Sequence, residues 1–548
     1  MKSMLVLTNS LVLILVLAAA GTLRAQTYTV LYTYPGTDRN NSGVLAPQIM
    51  SQGRDGNLYS TIATNGIENA GTVYQMTTSG QYTALYNFCV QTKCADGAYP
   101  QGGVVLGYDG NFYGTTQGGG TGGAGTAFRL TPSGTLTNLW SFGNQTDDSV
   151  PNYTLLPGQD GNLYGVSIGQ YNGQYGAFFR ITPADKFSVL LDFNFTDGAV
   201  PNLPTQGTDG NFYGTAELGG SSNLGVIYKI TPTGKITVLH NFAGYPSDGG
   251  SPVGILVQGS DGSFYGATYR GGTKNQGTIF KISPSGKYTL LYSFNDTSGN
   301  DGIQPLAGLT RGSDGSFYGA ASSGGTKNAG AIFKVTPAGQ ESVLLNFCDP
   351  TCNGFSPQTP LVQHTTGAFY GNTTGNSLGG SVFYRLDLGL PPFVNMVNWE
   401  GKVGGTVEIL GQGFTSASKV TFNGVPATFT AISDTFLTAT IPAGATTGLV
   451  SVKEPGGTLK STSKFLVTPV ITNLDKTSGP VGTTVVITGQ SFTQAVGVGF
   501  GDRVPAQFTV NSDTQVTAVV PVGAKTGPVG VKTPGGTAIS KQIFTLTQ

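Results

Sequence analysis

One phrase returns along the chain at a nearly constant interval: DGNLY at 55–59, DGNFYGT at 109–115, DGNLYG at 160–165, DGNFYGT at 209–215, DGSFYGA at 261–267 and 314–320, and TGAFYG at 366–371. Its tyrosines, Tyr59, Tyr113, Tyr164, Tyr213, Tyr265, Tyr318 and Tyr370, stand 49 to 54 residues apart. A period near fifty suits the blade of a propeller, whereas solenoid coils are shorter. Each repeat holds the same pieces: an apolar segment such as VGILVQGS (253–260), the DG phrase, a segment such as GVIYKI (225–230), a TPTG-type turn (231–234) and a last segment such as KITVLHNF (235–242). Asp and Gly can reverse the chain into the next strand. The aromatics that follow, such as Phe112 and Tyr113, then point to opposite faces, so both faces must be covered.

The seventh repeat stops after SVFYRL (381–386) and lacks a fourth strand, while the sequence TYTVLYTY (27–34) matches that missing piece. This predicts a seven-bladed β-propeller over residues 26–390, closed by the N-terminal strand 27–34. The pattern DGNFYGTT followed by GVIYKITPTGKITVLHNF resembles the bacterial tandem repeat called GloVer, over roughly residues 27–386. The resemblance implies an exported propeller and brings no reaction with it.

After Pro391 and Pro392 two units match each other: GGTVEILGQGFT (404–415) with GTTVVITGQSFT (482–493), and IPAGATTGLVSVK (441–453) with VPVGAKTGPVGVK (520–532). Short alternating strands between turns predict β-sandwiches at 391–468 and 469–548. With VGFGDRVPAQF (498–508) they look like IPT/TIG domains, an immunoglobulin-like fold. The first departs from that pattern at NMVNWEGKVGG (395–405). The expected fold class is therefore all-β, a propeller followed by two immunoglobulin-like domains.

Residues 1–25 read as a signal peptide, with Lys2, the apolar run LVLILVLAAA (11–20) and Ala25 before the expected cleavage. The run is too short to span a bilayer. Export to the periplasm, surface or medium is expected, with no membrane insertion afterwards. The 28 basic and 28 acidic residues balance, which argues against a nucleic-acid partner. The four cysteines form two close pairs, Cys89 with Cys94 and Cys348 with Cys352. In an exported chain these predict two local disulfides, a four-cysteine zinc site being the alternative.

Chemistry is sparse. His240 and His364 are the only histidines and have no metal-ligand spacing. The phrase aspartates Asp55, Asp109, Asp160, Asp209, Asp261 and Asp314 are expected as turn formers, as are Asp96, Asp197, Asp248 and Asp301 in a second recurring DGxxP pattern. Calcium could use such loops, though none has the ligand density of an EF-hand. No catalytic residue or metal ligand is assigned; the unrepeated acids Asp147, Glu68, Glu217 and Glu341 are the enzyme candidates, with no evident pairing. Binding is easier to support. Loops 169–176, 217–225, 269–277 and 322–330 should gather on one face, where Tyr171, Tyr175, Tyr269, Asn275 and Asn328 suit a neutral sugar. The leading expectation is an exported, non-enzymatic binding or adhesion protein that recognises a polysaccharide or a surface protein. The alternatives are a polysaccharide lyase or glycosidase using loop carboxylates, and a structural envelope component.

Overall fold

The computed structural model describes residues 26–548 except 35–48, 65, 144–148, 152, 170–174, 296–300, 350, 376–379 and 502. The expected signal segment, Tyr171 and Asp147 lie outside the described residues. Among these residues there is no α-helix; strands joined by turns and three short 3-10 turns make up the regular structure. Up to residue 390 the strands form seven antiparallel sheets. We number them in chain order: sheet 1 (51–87), sheet 2 (104–141), sheet 3 (149–192), sheet 4 (199–241), sheet 5 (249–293), sheet 6 (302–346) and sheet 7 (362–387).

The outermost strand of sheet 7 is the N-terminal Thr27–Thr33, antiparallel to Val382–Asp387 with Thr27 opposite Asp387. Just beyond it the Tyr34 N–H donates to Ser381 O, and the buried Tyr34 ring packs among Leu58, Tyr74 and Met76 of sheet 1 and Phe383 of sheet 7. The ring of sheets is therefore closed both by a shared ladder and by a shared core.

The repeated phrase explains how neighbours interlock. Tyr59 stacks on Phe112 at 4.0 Å, Tyr213 on Phe264 at 4.1 Å and Tyr265 on Phe317 at 4.0 Å. Because successive side chains alternate, the phenylalanine of a phrase, or the leucine in its place at Leu58 and Leu163, faces the previous sheet and the tyrosine the next. A second device recurs at the opposite end of the sheets. Val200, Ser251, Gln304 and Ser356 hold left-handed backbone directly before a proline, at φ of 55, 50, 58 and 53°. Each N–H donates to a carbonyl of the preceding sheet's loop, as Ser251 does to Leu224 O at 2.8 Å. The next residue in that loop, Gly225, has φ +93°, and a Cβ there would meet Pro252 Cδ at 2.5 Å. Only glycine fits both the backbone and the contact.

Residues 391–548 form two sandwiches of identical topology, each a four-stranded and a five-stranded sheet around its own apolar core. The aberrant stretch of the first keeps the pairing of the second: Glu400–Gly401 runs parallel to Leu466–Val467 as Ser478–Gly479 does to Thr545–Leu546.

Candidate binding face

In each sheet the DG turns lie at one end, the turn face. The loops after the second strand and between sheets lie at the other, the loop face. The first sandwich rests on the turn face. Glu408 receives Arg54 Nη2 at 2.6 Å and Nε at 3.1 Å, and the guanidinium lies 4.8 Å from the centre of the Phe436 ring. Thr435 Oγ1 donates to Arg54 O, Gln412 Nε2 to Thr365 Oγ1, and Arg311 Nη1 to Ser463 Oγ at 3.1 Å. These contacts engage sheets 1, 6 and 7, and among the described residues the sandwich makes them at the turn face, away from the loop face.

The phrase aspartates do more than turn the chain. Asp261 Oδ1 accepts the Ser263 N–H, and Oδ2 accepts Tyr265 Oη at 3.0 Å and lies 2.7 Å from Lys281 Nζ. Burial pushes its carboxyl up, but these hydrogen bonds and the Lys281 charge outweigh it and hold the group below the usual carboxylate range. Asp314 is held the same way by Lys334, Ser316 and Tyr318. Their oxygens are committed to the turn and to its tyrosine. In the seventh copy Thr366 replaces the aspartate, and Arg385 pairs with Asp387 instead.

The DGxxP aspartates organise the loops between sheets. Asp96 accepts Tyr86 Oη at 2.9 Å and the N–H groups of Val90 and Gln91. Asp301 accepts Tyr292 Oη and the Asn295 N–H. Asp248 receives the Ala243 N–H and bonds His240 Nε2 at 3.0 Å. His240 thus takes the place that Tyr86 and Tyr292 hold in sheets 1 and 5, and its ring stacks on Tyr288 at 3.9 Å. His364 is buried, donates from Nε2 to Gly56 O across the closure, and is pushed down to about 4 by burial. Both histidines are occupied structurally.

Glu341 lies within electrostatic reach of a second acid, which the sequence spacing does not reveal. It replaces the aromatic Tyr288 of the preceding repeat and so comes near Tyr292 of the preceding sheet and Asp301 in the loop that joins the two sheets. Burial first, and then the Asp301 charge, raise its carboxyl to about 7, with Tyr292 opposing. Among the described residues no group of three or more His, Cys, Asp or Glu side chains is placed to hold a metal ion.

The named binding residues fall on the loop face with different prospects. Asn275 and Asn328 are exposed, but each adopts a left-handed backbone and spends its side-chain oxygen on its own loop, accepting the N–H of Gly271 and Gly324 at 2.9 Å. Tyr269 is half-buried beside Arg270. Tyr175 contacts the ring of Phe195 at 5.5 Å. Phe195 belongs to a group the sequence reading missed. On the described part of the propeller, the exposed large apolar side chains are Val90, Tyr99, Phe195, Leu218, Tyr245 and Phe355, from 37% exposed at Phe355 to 61% at Tyr245. All six lie on loop-face segments. The Tyr99 ring lies against Gly118 and the Phe355 ring over Gly375, so both are seated on backbone without side-chain obstruction. The disulfides Cys89–Cys94 and Cys348–Cys352 close loops that carry Val90 and adjoin Phe355.

The Gloeobacter/Verrucomicrobia repeat pattern matches residues 20–205 and 200–425. The chain belongs to this repeat family. IPT/TIG domains match at 392–467 and 469–547, so the repeat propeller of the family is here joined to two such domains. No curated protein matches the chain. Solved structures that resemble it include the extracellular domain of a hybrid two component system from B. thetaiotaomicron, 11% identical with a TM-score of 0.44 over 79% of this chain and 57% of that one. A protein described as a candidate gluconolactonase is 12% identical with a TM-score of 0.37, over 67% and 94%. The surface glycan-binding protein PbSGBP-B from Prevotella bryantii is 16% identical with a TM-score of 0.21, over 27% and 38%. These likenesses are too distant to transfer a function to this repeat protein. Among the described residues no helix is long and apolar enough to cross a membrane.

Proposed function

We propose that this protein is an exported, non-enzymatic binding protein that recognises carbohydrate through the loop face of its propeller. The gathering of the six exposed apolar side chains on that one face is the observation that supports binding. Exposed rings on polar, glycine-rich loops suit sugars, whose C–H faces stack on aromatics while their hydroxyls bond amides and backbone. The loops are held in place beforehand by disulfides, by buried aspartates and by the Gly–Pro contacts between sheets, which lowers the entropy lost on binding. The first sandwich, fixed to the opposite face, carries the propeller with its loop face outward.

The test incubates the mature protein with a panel of soluble polysaccharides, scoring retardation on affinity gels and new reducing or unsaturated ends in the same samples. Retardation without new ends is expected. The combined variant Tyr99→Ala, Tyr245→Ala, Phe355→Ala should weaken binding at least about tenfold, as loss of aromatic anchors does, with an unchanged melting temperature. New ends would overturn the non-enzymatic reading, and retardation indifferent to the triple variant would overturn the choice of face.

A further inference from the structure

A cavity of about 440 Å³ lies on the propeller axis at its turn-face end. Inner strands of sheets 1, 4, 5, 6 and 7 wall it, and Thr462 and Ser463 of the first sandwich floor it. Its size is that of a small-molecule site, which typically occupies roughly 300–1,000 Å³. The walls are largely apolar, with Ile255, Leu309 and Val362 among them. Among the described residues Arg311 is the one charged residue that lines it.

The repeat shows how unusual this arginine is. At the same point Gln52, Gln206, Gln258 and Gln363 end the inner strands of their sheets. Each glutamine is committed: Gln258 accepts the Thr208 N–H of the preceding sheet and donates to Gly262 O in its own turn. Arg311 replaces that internal bridge with a guanidinium whose Nη1 donates to Ser463 Oγ and whose Nε is buried without a hydrogen-bond partner. Asp261 is the acid whose charge bears on it, yet that carboxylate is held by Lys281 and Tyr265. A partly buried cation facing a largely apolar cavity, with no carboxylate of its own, is costly unless an anion joins it.

We propose that this axial cavity is a second binding site, for a small carboxylic acid with an apolar body, in which Arg311 holds the carboxylate and the inner strands hold the body. The planar guanidinium fork matches a carboxylate's two oxygens. Ser463 orients the fork, so the docked sandwich completes the site. The site is separate from the loop face and does not depend on carbohydrate recognition there.

Titration calorimetry of the full mature chain tests this with octanoate, phenylacetate and 4-hydroxycinnamate, each against a neutral alcohol of the same body: octanol, 2-phenylethanol and 4-hydroxycinnamyl alcohol. At least one acid should bind at least about tenfold more tightly than its alcohol, the difference a charged bidentate contact supplies. Arg311→Gln installs the residue that four of the other six repeats carry, so its melting temperature should be retained while acid binding falls to the alcohol's level. Arg311→Lys should recover only part of it. Equal binding of acid and alcohol, acid binding indifferent to Arg311→Gln, or no binding of any of the three acids would each overturn the proposal.

Discussion

Closure of the ring makes a quantitative demand on Tyr34. The side chain is 1% exposed, and its hydroxyl lies 3.1 Å from Tyr74 Oη of sheet 1 and 3.3 Å from Asn372 Oδ1 of sheet 7, a residue 338 positions away. Tyr34→Ala removes a full aromatic from a core shared by three segments, which costs about 3–5 kcal/mol for buried aromatics. With an unfolding entropy of about 2.1 cal/mol/K per residue over a propeller of about 360 residues, that loss lowers its melting temperature by roughly 4–7 °C. Tyr34→Phe keeps the ring and loses only the hydroxyl's bonds, about 1 kcal/mol, hence a shift of roughly 1–2 °C. Scanning calorimetry of the full chain reads both, and the second sandwich, whose core shares no residue with this site, provides an internal reference. A propeller transition unmoved by Tyr34→Ala would refute closure through the N-terminal segment.

Two further outcomes are expected. Glu408→Gln weakens the forked pair with Arg54 and should speed limited proteolysis between residues 388 and 394, leaving the melting of the propeller itself within roughly 1–2 °C, because the pair is partly exposed. Glu341, raised to about 7 when folded, binds its proton more tightly in the native state than when unfolded. Its contribution to stability is therefore fully present below its unfolded value near 4.5 and is lost as pH rises through 7. Glu341→Gln should leave melting temperatures unchanged at low pH and raise them above pH 7; parallel curves for the two proteins would contradict a carboxyl raised by burial and by the Asp301 charge.

The fold was legible because a tandem repeat states its own period, and because FY in the phrase places one ring on each face of a strand. The missing fourth strand of the last repeat could be matched at the other end of the chain for the same reason. The candidate site was less legible, since binding residues belong to the unrepeated parts. Asn275 and Asn328 looked like free amides, yet their loop geometry consumes the side-chain oxygen. Tyr99, Tyr245 and Phe355 passed unnoticed because they fall in irregular loops between sheets; the available signal was an aromatic beside proline or glycine where sibling loops differ. Glu341 stands solitary in the sequence because Tyr292 lies in the preceding sheet and Asp301 in the loop between sheets, each about forty to fifty residues upstream. Docking of the first sandwich was invisible too, because Arg54 occupies a position that varies freely among the repeats.

The ladder between Thr27–Thr33 and Val382–Asp387 also governs the order in which the molecule can be finished. The first strand made is paired with one of the last, across nearly the whole length of the propeller, so its loop-closure cost is met late and folding should be slow. Until then Val382–Asp387 is an open edge, able to recruit the wrong strand, including one from a second copy. The first sandwich follows that edge directly in the chain and seats itself on the DG turns of the first, sixth and seventh sheets. It therefore gains its complete seat only when the ends have met, and its arrival holds the first and last sheets together against reopening.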